Sequence, residues 1–162
     1  MRKIIFSLLL AIACNGIDRP NNVEINIVDG VWKHSHNDYM ADRPIYDALK
    51  AGCQILEYDV IYGHGEIYVT HDDEWYDSPL TYYGPLTNYL DEIQYIIEEY
   101  EIELYVYIEV KDPDGIIESL LDLFSQYDII FLPDCWISDM DFGDYTTYRE
   151  FSQDKDIEDI DV

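Results

Sequence analysis

Basic residues and histidine are scarce in this chain of 162 residues. Nine lysines and arginines stand against 35 aspartates and glutamates, the formal net charge is -26, and there are four histidines. A polyanionic ligand would be repelled over most of such a surface, so nucleic-acid binding is disfavoured. Because carboxylates are so abundant, a single Asp or Glu says little, and only acids that recur in a pattern indicate a site.

Cysteine is also scarce, with three residues in the chain. Cys53 and Cys135 lie far from the N-terminus, and two cysteines do not make a disulfide framework. Cys53 belongs to the apolar run AGCQIL, where a buried free thiol is expected. We therefore predict that the two residues do not form a bridge.

The N-terminus has the form of a secretory signal, with Arg2 and Lys3 ahead of the apolar run Ile4–Ala13. That run is too short to cross a bilayer, which takes about twenty residues. Its end, Ala11-Ile12-Ala13-Cys14, resembles a bacterial lipobox, which implies cleavage before Cys14 and lipidation of its thiol. We expect residues 1–13 to be a signal peptide of the lipoprotein type. The mature bacterial protein would then be exported and membrane-anchored, on the periplasmic or cell-surface side; an ordinary cleaved signal is the alternative.

The rest of the chain predicts one modest domain, since 48% of the residues are apolar. We expect residues 14–22 to form a polar tether and residues 23–150 to form the domain. Residues 151–162 are acidic and poor in large apolar side chains, so they are predicted to be a disordered tail.

Strand-like and helix-like segments alternate through this domain, which predicts parallel strands joined by helices. The predicted strands lie within residues 23–34, 54–62, 66–72, 104–112 and 128–132, and the helices within 43–52, 85–100 and 115–124. A complete eight-stranded α/β barrel typically takes about 250 residues. Only four or five strand-helix units fit here, so the sequence predicts an incomplete TIM-barrel-like α/β fold.

Ionisable residues fall near the carboxyl ends of four predicted strands, where α/β barrels build their active sites. In chain order they are His36, Glu57 with Asp59, His71, and Glu109 with Lys111. Glu57 and Asp59 lie two apart in QILEYDVIY, so both point to one face of a strand otherwise suited to burial. An unpaired charge there would cost several kcal/mol, so each acid needs a cation or a partner.

Three converging carboxylates would favour a hard cation with oxygen ligands, Ca²⁺ or Mg²⁺. His36 and His71 beside such an ion suit general acid-base catalysis, because imidazole titrates near neutrality. A polar strand face in water, with Lys111 paired to Glu109, is the alternative. We interpret His34 and His64 as loop residues.

The motifs HNDY (36–39), EYD (57–59), HD (71–72) and EVK (109–111) together resemble the glycerophosphodiester phosphodiesterases. That family consists of TIM barrels in the PI-PLC-like phosphodiesterase superfamily, and HNDY, in place of the more usual His-Arg-Gly, resembles a bacterial branch of it. The resemblance implies that Glu57, Asp59 and Glu109 bind a metal ion. It also implies that His36 and His71 form an acid-base pair, and that Lys111 and Asn37 bind the phosphate. Asn37 stands where the common pattern has an arginine. The implied reaction is metal-assisted hydrolysis of a small glycerophosphodiester to an alcohol and glycerol phosphate.

Two other functions stay open at this point. A metal hydrolase of the amidohydrolase or PHP type would use His34 and His36 as a paired-imidazole site, although the chain has no histidine after His71. A tethered lipoprotein with an incomplete barrel, used for binding or without activity, is the main rival because 162 residues hold only part of a barrel.

Overall fold

The computed structural model describes residues 17, 19–71, 82–135 and 139–162. Its fold is mixed α/β, with a sheet that curls into a half-barrel. In chain order the described elements are β1 (Trp32–Ser35), a 3-10 turn (Asp38–Met40), α1 (Tyr46–Ala51), β2 (Ile55–Gly63), β3 (Glu66–Thr70), β4 (Tyr82–Pro85), α2 (Leu86–Tyr100), β5 (Tyr105–Val110), α3 (Ile117–Phe124), β6 (Ile130–Asp134), α4 (Tyr148–Ser152) and β7 (Ile157–Ile160).

Five strands form a parallel sheet in the order β7-β1-β2-β5-β6. The predicted strand-helix alternation is confirmed for β1, β2, β5 and β6, which are joined through helices or through a hairpin and a helix. Asp59 pairs in register with Glu109 on the next strand, so two of the predicted site residues are direct neighbours.

The third predicted strand runs the other way. β3 returns antiparallel to β2 after a two-residue turn at His64 and Gly65, and β4 is antiparallel to β3. Both turn residues have positive φ, 52° and 87°, as a type I′ hairpin turn requires. The expectation of parallel strands is therefore wrong for β3, because the turn reverses the chain. Val69 pairs with Val60, so the returning strand brings Thr70 back alongside Asp59.

One face of the sheet packs against α1, α2 and α3. Its side chains are apolar and fully buried, among them Leu56, Val60 and Ile108, and they share a core with Leu90 of α2 and Leu120 of α3. Each such side chain contributes roughly 1.5–3 kcal/mol when it is removed from water. No described helix is long and apolar enough to span a membrane, and the predicted signal with Cys14 lies outside the described residues.

The opposite face of the sheet is covered by the C-terminal segment. The ring of Phe151 lies 5.1 Å from Trp32 and 5.1 Å from Tyr105, and Tyr148 stacks on Tyr107 at 4.1 Å between centroids. Helix α4 begins with a capping box in which Thr147 and Glu150 exchange hydrogen bonds. The aromatic side chains of β1 and β5 therefore gain a partner that a disordered tail could not provide.

The predicted disorder of residues 151–162 thus differs from the structure, which places β7 beside β1 in parallel register from Trp32 and Ile157 to Ser35 and Ile160. Composition shows how many large apolar side chains a segment can bury, whereas an edge strand is held by main-chain hydrogen bonds and needs few such side chains. At the other end of the domain, Arg19 of the predicted tether forms an ion pair with Glu92, which is buried in α2. Cys53 and Cys135 are both buried free thiols.

The docking of the C-terminal segment can be tested with Phe151→Ala. We expect the free energy of unfolding to fall by about 1–3 kcal/mol, because a half-buried ring with two aromatic neighbours is removed. Gln153→Ala, at an exposed neighbouring position, should leave the urea midpoint unchanged and serves as the control. Equal midpoints for the wild type and Phe151→Ala would show that the segment does not pack on the sheet.

Candidate active site

The loop after β1 is held by Asp38, which is fully buried. Its carboxylate accepts hydrogen bonds from the Tyr58 hydroxyl at 2.7 Å, from the Ile45 backbone N–H at 2.8 Å and from the Ser35 hydroxyl at 3.3 Å. Asn37, just before it, takes a left-handed conformation with φ 52°, which asparagine tolerates better than most residues. The Asn-Asp pair in HNDY therefore has a structural role: it turns the chain directly after His36.

Tyr39 connects this loop to the second strand. Its hydroxyl lies 2.8 Å from the Asn37 side-chain oxygen and 2.9 Å from Asp59 Oδ2. The Asn37 amide nitrogen lies 3.4 Å from His36 Nε2. The whole HNDY motif is thus assembled at the edge of the carboxylate cluster, with the side-chain oxygen of Asn37 already engaged by Tyr39.

The carboxylates Glu57, Asp59 and Glu109 form one cluster. Each offers an oxygen, and the three oxygens lie within 4.8 Å of one another. Glu57 and Asp59 are only 3% and 2% exposed, and neither Glu57 Oε2 nor Asp59 Oδ1 has a well-aligned hydrogen bond. Buried oxygens left unsatisfied are costly, and a cation with oxygen ligands would satisfy both. The predicted metal-binding set therefore converges, and its chemistry fits a hard divalent cation.

Lys111 offsets part of this negative charge. Its ammonium group lies 3.0 Å from Asp59 Oδ2 and 3.0 Å from Glu109 Oε1. Burial opposes the charged ammonium, but the two carboxylates outweigh it and raise the pKa of Lys111. Burial also raises the pKa of Asp59 to about 7, against the opposing effect of Lys111. The pairing proposed as the alternative does exist, yet one lysine does not balance three acids.

His36 stands at the mouth of the site. About half of its side chain is exposed, and its Nε2 lies 4.0 Å from Glu57 Oε2. His71 is exposed and directly follows β3, where that strand runs back beside β2. Among the described residues, the cleft that contains His36 has no lining contribution from His71. The structure therefore brings His36 to within 4.0 Å of the carboxylate cluster, while the catalytic role of His71 stays a prediction.

His34 corrects the sequence interpretation, because it is not a loop residue. It lies in β1, is 4% exposed, and its Nε2 lies 2.9 Å from Glu57 Oε2 while its Nδ1 lies 2.9 Å from Asp159 Oδ1. Burial lowers the basicity of the ring, but Glu57 and Asp159 outweigh burial and raise the pKa of His34. The available signal was the i, i+2 spacing of His34 and His36, which puts two histidines on one face of a strand.

A fourth acid lies in the same row of the sheet. Asp134 on β6 pairs in register with Glu109 and is buried, but its carboxylate accepts hydrogen bonds from the Arg149 side chain and backbone, each at 3.2 Å. Asp134 also accepts from the Cys135 backbone N–H at 2.8 Å. Its charge is therefore used to hold α4 against β6, and it is not part of the three-acid cluster.

A cleft of about 500 Å³ opens beside the cluster. Its lining residues are His34, His36, Glu57, Tyr107, Glu109, Tyr148 and Asp159. Glu57 and Glu109 of the carboxylate cluster thus line one side of the cleft, and the stacked rings of Tyr107 and Tyr148 line another. The cleft is large enough for a small organic molecule.

A model of the AIM6-like phosphodiesterase domain matches residues 23–122. The chain belongs to this family. The matched part of the AIM6-like domain runs from before β1 into α3 and contains all of the predicted catalytic, phosphate-binding and metal-binding residues. The resemblance to phosphodiesterases is confirmed at the level of the domain, while the bacterial HNDY branch is not singled out by this match.

Altered inheritance of mitochondria protein 6 from the yeast Lachancea thermotolerans is 28% identical to this chain over 151 residues. That alignment covers 81% of the chain and 32% of the yeast protein, so the chain spans about a third of that relative's length. No solved structure matches the chain.

The burial of Asp38 predicts a pH dependence of stability. Burial raises the pKa of Asp38 to about 6, against hydrogen bonds from Tyr58, Ile45 and Ser35 that lower it. Because the folded pKa exceeds the unfolded one, this residue's contribution to stability is full below about pH 4 and is lost as the pH rises through about 6.

The comparison of wild type with Asp38→Asn isolates this effect, since asparagine does not titrate. Between pH 4 and pH 7, the wild type should lose roughly 3 kcal/mol of unfolding free energy relative to the variant. Urea melts at intervals of pH measure it. A difference that is constant with pH would show that Asp38 is as readily ionised in the folded chain as in the unfolded one.

Proposed function

We propose that the AIM6-like domain hydrolyses small phosphodiesters, with a divalent cation held by Glu57, Asp59 and Glu109. The observation that carries this proposal is the convergence of three carboxylates, two of them with buried oxygens that lack a well-aligned hydrogen bond, in a domain of a phosphodiesterase family. Their oxygen-only donor set favours Ca²⁺ or Mg²⁺. When bound, such a cation would neutralise phosphoryl charge and lower the pKa of an attacking hydroxyl group.

The residues around the cluster supply the other functions. His36, half exposed at the cleft and 4.0 Å from Glu57, is placed to take a proton from the attacking hydroxyl or to give one to the leaving oxygen. His71 is proposed as its complement, which requires its exposed side chain to reach the same substrate. Lys111 is the proposed phosphate-binding cation, and its ammonium would exchange part of its contact with Asp59 and Glu109 for a phosphoryl oxygen.

We propose glycerophosphodiesters as the substrates, on the resemblance of the HNDY, EYD, HD and EVK motifs to that class of phosphodiesterase. We also propose that the half-barrel sheet corresponds to part of a TIM barrel of the PI-PLC-like type. Export with a lipid anchor at Cys14 stays a prediction, and that residue lies outside the described part of the chain.

The two alternative functions, a paired-imidazole metal hydrolase and a binding protein without activity, are not equally well supported. In a paired-imidazole metal site, His34 would offer a free nitrogen to the ion, but both of its ring nitrogens lie 2.9 Å from carboxylate oxygens. A protein that binds a ligand without hydrolysing it would use the same cleft, and activity measurements distinguish it from an enzyme.

Cation binding by the cluster should be visible in the melting temperature. Addition of Ca²⁺ or Mg²⁺ to EDTA-treated protein should stabilise it, by about 2.7 kcal/mol at one hundred times the dissociation constant. Asp59→Asn should abolish this shift because it removes a ligand charge, and Asp112→Asn, just beyond β5, should keep it. A wild type whose melting temperature is the same in EDTA and in either cation would contradict the proposed metal site.

Hydrolysis can be measured as release of glycerol phosphate from glycerophosphocholine and related diesters. We expect His36→Asn to lower kcat at least about 100-fold, since general acid-base groups contribute that much or more. His64→Asn, in the exposed hairpin turn, is the matched control and should retain full activity. If the wild type binds a cation but cleaves none of the diesters, the binding-protein reading would replace the enzyme.

A further inference from the structure

The C-terminal strand reaches into the candidate site. β7 pairs with β1 so that Asp159 lies in register with His34, and both side chains point to the face of the sheet that carries Glu57. Asp159 also lines the cleft. The family match ends at residue 122, so this contact comes from a part of the chain outside the matched domain.

His34 connects Asp159 to Glu57. Its two ring nitrogens lie 2.9 Å from Asp159 Oδ1 and 2.9 Å from Glu57 Oε2. Both nitrogens face carboxylate oxygens, which accept hydrogen bonds, so an N–H on either side of the ring would donate to Asp159 or to Glu57, and these two contacts orient the ring. The rings of Tyr107 and Tyr148 lie 5.6 Å and 5.3 Å from the imidazole and restrict it further.

Glu57 needs such a restraint more than the other two acids. Asp59 is held by Tyr39 and Lys111, and Glu109 is held by Lys111. Glu57 Oε2 is buried and has no well-aligned hydrogen bond, and its near neighbours are His34 at 2.9 Å and His36 at 4.0 Å. A glutamate has three rotatable side-chain bonds, so its oxygen keeps one position only if its surroundings hold it.

We infer that Asp159 and His34 are positioning residues: Asp159 holds the His34 ring, and the ring holds the Glu57 carboxylate where it binds the cation. This inference rests on the proposed metal site and deepens it. It makes the C-terminal segment a functional part of the site, in addition to its packing on the sheet. Residues that orient metal ligands in this way typically change metal affinity by 10–100-fold.

The test measures cation affinity by calorimetry on the full chain, stripped with EDTA and titrated with Ca²⁺ and with Mg²⁺. Asp159→Ala should weaken the affinity by roughly 10–100-fold. The control is Glu158→Ala, which removes the same charge from the same strand but on the opposite face, where its carboxylate lies 3.9 Å from Lys33. Urea melts in EDTA confirm that each variant is folded.

Two further variants separate positioning from charge and from folding. Asp159→Asn keeps an oxygen that accepts from His34 Nδ1 and should restore most of the affinity lost in Asp159→Ala. Because Asp159 acts through His34, adding Asp159→Ala to His34→Ala should cause no further loss, whereas independent effects would add.

The inference is overturned if Asp159→Ala binds the cation as the wild type does, or if Glu158→Ala loses as much affinity. It is also overturned if Asp159→Asn stays as weak as Asp159→Ala, because the effect would then be one of charge alone. A wild type that binds neither cation removes the proposed metal site together with this inference. Intact binding that shows the expected pattern, without cleavage of any diester, supports the inference and rejects only the enzymatic activity.

Discussion

The burial of Glu57 and Asp59 inside a strand is the constraint on which the rest of the site depends. An isolated buried carboxylate is costly, so a folded chain with both at 2–3% exposure must provide compensating contacts. Asp59 receives them from Tyr39 and Lys111. Among the described residues, Glu57 is approached by His34 at 2.9 Å and by His36 at 4.0 Å, and neither contact is a well-aligned hydrogen bond, which is why the cluster is a candidate cation site.

The loop after β1 contains another buried acid, Asp38, whose hydrogen bonds are satisfied within the protein. Asp38 is as deeply buried as Glu57 and Asp59, but Tyr58, Ile45 and Ser35 donate hydrogen bonds to it, so it fixes the turn and its oxygens are already engaged. Hydrogen-bond satisfaction therefore separates the structural acid of HNDY from the candidate ligands on β2 and β5. Asp134, held by Arg149, belongs with the structural acids.

The half-barrel sheet exposes a second face that must also be covered. The C-terminal segment does this with Tyr148 and Phe151 packed on aromatic residues of β1 and β5, and the same segment delivers Asp159 to His34. Packing and site geometry are thus provided by one piece of chain. The acidic composition of this segment suggested disorder, but one of its acids, Asp159, is the carboxylate partner of the buried His34 ring.

The sequence by itself determined the segments of β1, β2, β3, β5 and β6 and of the three helices α1, α2 and α3, together with the spacing of Glu57, Asp59 and Glu109, because periodicity and side-chain alternation are local properties of a chain. It also led to the phosphodiesterase family through short motifs. Only the tertiary structure decided the direction of β3, the place of β7 and the partners of His34. The physical reason is separation: Asp159 lies 125 residues from His34, and no local pattern encodes which distant edge strand will lie beside β1.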